Sequence, residues 1–245
     1  MKMTIDGDIV EGVILKRTAY KENDMILHVY TKTFGKIGIH ARGIRKMTSK
    51  NARACQEMMM SEFDIRLKKG LSSLIKATPT DYLRHIKESI DSEIVGNYIL
   101  EYFYRYIEEN QPSLEDYETL VASLKALDHG YHPLLVYLLF NVFILKQNGV
   151  SIDVDGCVFC GSKKVLSISL EDGGFVCAEH LSHHRVYPVE VLKGFRHIHK
   201  VTIIQIDTLH IEEKTMKELV PIMDYFIEEY TGISLHTKSF IRQIV

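Results

Sequence analysis

The stretch from Gly156 to His180, GCVFCGSKKVLSISLEDGGFVCAEH, constrains this chain more than any other. It sets Cys157, Cys160, Cys177 and His180 in a C-x2-C…C-x2-H array. A two-residue spacing lets a tight turn aim both side chains of a pair at one ion. Two such knuckles closing on each other form a tetrahedral Cys3His site, the geometry of a structural zinc. Between the pairs, VLSISL alternates apolar and polar residues and Asp172-Gly173-Gly174 supplies a turn, so the connection is predicted to be a β-hairpin. Three thiolates and an imidazole fill all four positions and leave none for an activated water. The bland alternative, three buried thiols and a surface histidine, does not account for the paired spacing. His183 and His184 lie one turn further on, and either is an alternative to His180 as fourth ligand.

The rest of the chain must supply the cores that this knuckle is joined to. At 245 residues, 46% hydrophobic and 25% charged, it has room for one large domain or two to three small ones. The most apolar run, Leu134 to Leu145, is too short to cross a bilayer and reads as a buried helix. The first residues, MKMTIDGDIVEG, lack the basic segment and apolar core of a signal peptide. Three of the four cysteines are committed to the knuckle, which suits a reducing compartment, so a cytoplasmic protein is expected. Charge is unevenly spread. Residues 1–80 carry 15 Lys+Arg against 8 Asp+Glu, a balance of +7, whereas residues 81–150 stand at -6 and residues 151–245 at -3. A basic first third on an acidic remainder points to a polyanion-binding module joined to something else.

Up to about Tyr82 the pattern is β. DIVEGVILKRTAYK and DMILHVYTKTFG read as long strands joined at Lys21-Glu22-Asn23; KIGIHARG, MMMSEFDIRLKK and SSLIKATPTDY read as three more. Five strands in about 75 residues suit a small closed barrel such as the OB-fold, which commonly binds single-stranded nucleic acid. Between the third and fourth strands, RGIRKMTSKNARACQ holds Arg42, Arg45, Lys46, Lys50 and Arg53 with no acidic residue before Glu57. Its apolar periodicity vanishes, and it reads as a mobile basic loop suited to phosphate contacts that sense charge rather than sequence. Lys16, Arg17 and Lys21 near the first turn, Lys36 at the start of the third strand, and Arg66, Lys68 and Lys69 near the last turn extend the candidate DNA-binding set. Tyr20, Tyr30, Phe34 and Phe63 are each either base-stacking platforms or core.

Near Leu83 the apolar period changes from 2 to 3.6. Helices are predicted over HIKESIDSEIVGNYILEYFYRYIEEN, over SLEDYETLVASLKALDHG with Ser113 as N-cap, and over HPLLVYLLFNVFILKQNG. Beyond the knuckle, PVEVLKGFRHIHK, EKTMKELVPIMDYFIEEYTG and a short LHTKSFIRQIV continue the pattern. The expected architecture is therefore α+β: an OB-fold nucleic-acid-binding domain over residues 1–82 and a helical domain over residues 83–245, with a zinc-binding insertion at about 153–184. No phosphate-binding loop, dinucleotide fingerprint, H-E-x-x-H or G-x-S-x-G occurs, so a binding protein rather than an enzyme is expected, with no catalytic residue assigned. A zinc-stabilised transcriptional regulator is the alternative, although no helix-turn-helix with a basic recognition helix is visible.

EGVILKRTAYKENDMILHVYTKTFGKI followed by ARGIRK, then QNGVSIDVDGCVFCG, GGFVCAEH and TKSF, occur in that order along essentially the whole chain. This set resembles the RecO family of bacterial DNA repair and recombination mediators. His180 departs from it, standing where zinc-binding members usually carry a fourth cysteine. The resemblance implies binding of single- and double-stranded DNA and annealing of complementary strands. It also implies engagement of the C-terminal tail of single-stranded DNA-binding protein (SSB), and cooperation with RecR in loading RecA. A nucleoid-associated place in the cytoplasm and a single structural zinc follow from the same likeness. An acidic tail with an apolar end needs an apolar pocket flanked by cations; Lys125, Lys146, Arg196 and Lys200 are the candidates in the acidic part of the chain.

Overall fold

The alternating residues of the first 13-residue strand explain how the barrel closes. In the computed structural model, which describes residues 7–183 and 185–244, β1 spans Asp8–Tyr20 and β2 spans Asp24–Thr31. Further along are β3 (Gly35–Ala41), β4 (Met60–Arg66) and β5 (Leu71–Asp81). A register shift between Ile14 and Lys16 bends β1. Its first half pairs with β4, from Asp8 opposite Ile65 to Val13 opposite Met60, and its second half pairs with β2. One bulged strand thus serves both sides of the barrel, which is what bulges at barrel corners do. The closed order is β1-β2-β3-β5-β4, with β3 and β5 parallel over Gly38–Leu71, Ile39–Ser72 and His40–Ser73. That is the OB-fold arrangement, as the strand count predicts. Ile14, Leu27, Val29, Ile39, Phe63 and Ile65 fill the interior with no exposed surface. Each contributes on the order of 1.5–3 kcal/mol by leaving water.

The chain forms two compact units, Met1–Asp128 and His129–Val245. In the first, α1 (Ile90–Tyr106) and α2 (Leu114–Asp128) accompany the barrel. Ser89 and Ser113 cap them, their hydroxyls accepting from the Ser92 and Asp116 amides at 3.3 and 3.2 Å. Tyr30 is fully buried; its ring meets Phe103 edge-on at 5.2 Å and its hydroxyl donates to Asp116 at 3.4 Å. Burial, aided by the neighbouring Asp116 charge, pushes the Tyr30 phenol up to about 12. Tyr30 and Phe63 are therefore core rather than base platforms, and Phe34 packs against the same interior.

In the second unit, α3 (Pro133–Gln147) is buried at every position from Leu134 to Leu145, which is why its sequence shows no amphipathic period. A three-stranded sheet of β6 (Asp153–Cys157), β7 (Val165–Ser169) and β8 (Gly174–Cys177) follows in the order β6-β8-β7. The β7–β8 hairpin matches expectation. β6 was not foreseen, because DVDGC is too polar and too short to announce a strand; it gains its place by lying parallel to β8. The chain continues through α4 (Val189–Lys200), a 3-10 helix at Ile203–Thr208, α5 (Glu213–Thr231) and α6 (Lys238–Ile241). No helix of the described residues is long and apolar enough to cross a membrane. Residues 1–6, over which the signal-peptide reading partly runs, lie outside the described residues.

Lys238, in the TKSF segment, is buried against α5. Its ammonium lies 2.6 Å from the Glu228 carboxylate and 3.4 Å from that of Asp224, which also accepts from the Tyr137 hydroxyl at 2.5 Å. Lys238→Met is expected to destabilise the protein by about 3–5 kcal/mol, because it leaves the buried Asp224 carboxylate without its cation, whereas Asp224→Ala should cost less because Glu228 still holds the ammonium. Urea denaturation of the two variants distinguishes them; equal losses would show that the ion pair itself is not what matters.

Candidate nucleic-acid surface and metal centre

The basic residues collect around β3. Its Ala41 end lies beside the β1–β2 turn through the pairing of Met25 with Ala41, and the β4–β5 turn opens on the other side, where Leu71 meets Gly38. Three residues separate these points along the strand, about 10 Å. The segment after β3 then folds over the barrel end. Ile44, Ala54 and Cys55 are buried in the barrel core, and the Asn51 side chain accepts from the Ala77 amide of β5 at 3.1 Å. The expected basic loop is thus tied to the barrel near both ends: three isolated apolar residues leave no periodic signal, yet each fills a place in the core. Between those anchors, Arg45, Lys46, Met47, Thr48 and Lys50 project into solvent, as do Arg42 and Arg53 on either side.

Asp24 organises the entry to this segment. It accepts from the Gly43 amide at 2.8 Å and pairs with His40 Nε2 at 2.8 Å, and these two contacts, the amide first, hold its carboxyl below the usual range. Arg45 adds a backbone link from its amide to the Asn23 carbonyl at 3.0 Å and a guanidinium contact to the Glu22 carbonyl at 3.1 Å. Sequence reasoning missed Asp24 and His40, since only the β2–β3 register brings residues 24 and 40–43 together.

The other candidates divide. Lys16, Arg66, Lys68 and Lys69 are exposed, with the Lys16 ammonium 4.5 Å from the centre of the Tyr104 ring. Arg53 lies over Tyr82 at 4.8 Å. Arg17 is half-buried, its guanidinium donating to Gln56 Oε1 at 2.5 Å and to the Met25 sulfur at 3.1 Å, so it fastens the end of the basic segment to β1. Lys36 is only 7% exposed, and its ammonium donates to the Tyr104 carbonyl at 2.8 Å. Burial pulls its pKa down. Lys36 therefore holds the end of α1 and does not present its charge to a ligand. Its position in an alternating strand reads as outward from sequence alone, but α1 covers that face.

Metal-ligand geometry is clearest at the knuckle. The four donor atoms of Cys157, Cys160, Cys177 and His180 all lie within 4.8 Å of one another. Cys157 Sγ is 3.6 Å from His180 Nδ1, Cys160 Sγ is 3.7 Å from Cys177 Sγ, and Cys177 Sγ is 3.3 Å from His180 Nδ1. A tetrahedral zinc with ordinary bond lengths has edges of about 3.8 Å between sulfurs and about 3.6 Å between sulfur and nitrogen. The residues present thus fit a metal ion with these four ligands. Local backbone makes the turn: the Gly161 amide donates to the Cys157 carbonyl at 2.8 Å, with Gly161 at φ +71°. At Gly156 a Cβ would meet the Gly161 carbonyl oxygen at 2.7 Å, so a side chain there would collide with this turn. Burial pushes the Cys157 thiol up, but the Phe159, Cys177 and Cys160 amides together outweigh it and bring it down to about 6. The His180 ring stacks on Phe159 at 5.1 Å, presenting Nδ1 to the sulfurs. His183 instead contacts the Ser182 hydroxyl and lies outside the ligand group; His184 is outside the described residues.

An OB-fold barrel with a basic segment after its third strand, in a chain whose second unit carries a four-ligand knuckle, defines the class: a barrel-and-helix protein with a candidate metal centre. The family model described as Recombination protein O N terminal matches residues 8–83, and that described as Recombination protein O C terminal matches residues 88–239. The chain belongs to the RecO family, and with it to DNA repair and recombination. The DNA repair protein RecO of Bacillus pumilus is 27% identical over 238 residues, covering 96% of this chain and 93% of its own length. That of Exiguobacterium sibiricum is 27% identical over 242 residues, covering 97% of both. The Listeria monocytogenes protein of the same name is likewise 27% identical over 238 residues.

Proposed function

We propose that this protein is a non-enzymatic recombination mediator that binds single- and double-stranded DNA, anneals complementary strands and, with RecR and SSB, promotes RecA loading in the cytoplasm. The observation that carries the reading is the exposed run Arg42, Arg45, Lys46, Lys50 and Arg53 on an OB-fold barrel of a RecO-family chain. Annealing asks for a surface that lowers repulsion between two phosphate backbones without reading bases, and exposed guanidinium and ammonium groups supply that. Lys16, Arg66, Lys68 and Lys69 extend this surface, and the nucleic-acid-binding module ends at about residue 82. At the knuckle, one zinc per chain held by Cys157, Cys160, Cys177 and His180 supplies a cross-link between the two ends of the hairpin and no reactive water.

For the SSB tail, the favoured site is a groove of about 650 Å³ in the second unit, lined by Lys146 and Lys200 with Val142, Leu145, Ile152 and Val154. Arg196 and Lys200 both hold Asp155, at 2.8 and 2.7 Å, so part of their charge is already spent. Lys146 is then the cation to change first: Lys146→Glu is expected to weaken binding of an acidic peptide with an apolar end about tenfold or more while leaving DNA affinity unaltered. Peptide titration by anisotropy reads this, and an unchanged affinity moves the site elsewhere.

The reading as a whole is tested by strand annealing with one fluorescent and one quenching oligonucleotide, bare or coated with SSB. Acceleration by the protein without nucleotide is expected. Absence of both annealing and DNA binding at low salt would overturn the proposal and bring the regulator alternative forward.

A further inference from the structure

A groove of about 540 Å³ opens where the β1–β2 turn meets the residues after β3. Lys21, Glu22, Asp24, His40, Arg42 and Lys46 are among its walls. The Asp24 carboxylate is turned inward onto the Gly43 amide and His40, so the three cations face one acidic side chain of comparable freedom, that of Glu22. Next to two of these residues, Lys21 in sequence and His40 in space, stands Tyr20, 40% exposed at the very end of β1. Its ring meets His40 edge-on at 5.4 Å, and the Lys21 ammonium lies 5.3 Å from its centre. A part-exposed aromatic ring in perpendicular contact with a histidine, beside a cationic cleft, combines the two halves of a nucleotide's chemistry: a π surface for the base and charge for the phosphate.

We infer that this groove takes one unstacked nucleotide of single-stranded DNA, its base against Tyr20 and His40 and its phosphate toward Lys21, Arg42 and Lys46. The inference rests on the reading of the barrel as a DNA-binding module and adds a distinction to it. In a duplex both faces of every base are covered by its neighbours, so only a single strand can offer a face to Tyr20. The exposed cations serve both forms of DNA, whereas Tyr20 serves one. During annealing, a strand seated here would present its neighbouring bases, and formation of the duplex would remove the contact and release the product.

The test is anisotropy of the full-length protein with oligothymidylate and with a duplex of equal length, across a salt series. Tyr20→Leu is expected to weaken oligothymidylate binding on the order of tenfold, the scale of one lost base–aromatic stack. Duplex affinity should stay within about twofold, and the salt slope should be unchanged because no charge is removed. Tyr20→Phe keeps the ring and should restore single-strand binding. Crosslinking of a bromodeoxyuridine-substituted strand should map to Tyr20 in the unmutated protein. Equal losses on single strand and duplex, or none on either, would overturn the inference and leave the DNA-binding reading standing. No DNA binding by the unmutated protein would remove both.

Discussion

Replacing Cys157 and Cys160 together by Ser is expected to release about one zinc per chain and to lower the melting temperature by about 10 °C or more. Cys157 ends β6 and Cys160 lies in the turn after it, while Cys177 ends β8 and His180 follows, so a bound ion would join the C-terminal ends of two parallel strands. The sheet also packs on α4, where Phe175 meets Phe195 at 5.7 Å, but the apolar cluster around the ligands is small. That cluster contains Cys157, Val176 and Cys177, with Val158 against it, so two of its four residues are themselves candidate ligands. Zinc-finger peptides gain about 10–16 kcal/mol from their metal at pH 7, and even a fraction of that is large against a whole-domain stability of about 5–15 kcal/mol. His180→Cys supplies a fourth thiolate and should retain the metal. Metal analysis and thermal denaturation of the parent, the double Ser variant and chelator-treated protein read the effect. A metal-free preparation that melts with the parent would remove the structural-zinc proposal. DNA affinity per folded molecule is expected to change little.

The second large effect belongs to the basic segment. Replacing Arg42, Arg45, Lys46 and Lys50 together by Ala should weaken binding to all DNA sequences alike, on the order of 10²- to 10³-fold at low salt. If all four contact phosphate, the slope of log affinity against log salt should flatten by about 3 for a single strand. Stability should move little, because the segment is secured mainly by Ile44, Ala54, Cys55 and Asn51, and of the four side chains only Arg45 adds a tie, an exposed contact to the Glu22 carbonyl. Retention of the parent slope would place the phosphate contacts on another surface. Including Lys36 in such a variant would confuse the result, since its ammonium serves the Tyr104 carbonyl and its loss would disturb α1.

Much of this was legible in the residues, for reasons that differ by element. The five strands announce themselves because alternation survives wherever one face of a sheet lines a barrel. The knuckle is legible because metal ligation demands residue types at fixed spacing. β6 was hidden because a strand held by a parallel neighbour needs little apolar content of its own. Lys36 was misplaced because alternation states which side of a strand a residue faces and not what covers that side. The ties from Asp24 to His40 and Gly43 were invisible because they depend on a register between strands. Tyr20 remained undecided in sequence for the same reason: its exposure follows from where β1 ends.

The closure of the barrel has a consequence for how the protein is made. The first half of β1 finds its partner only in Met60–Ile65, and β3 gains its second neighbour only from Leu71–Ser73. Until about residue 80 has left the ribosome, the emerging meander of β1 to β3 carries two unpaired edges, the kind of surface that captures other strands. The polar, positively charged stretch from Arg42 to Arg53 is synthesised during that interval. Its charge gives the half-built barrel solubility and like-charge repulsion from its sister chains.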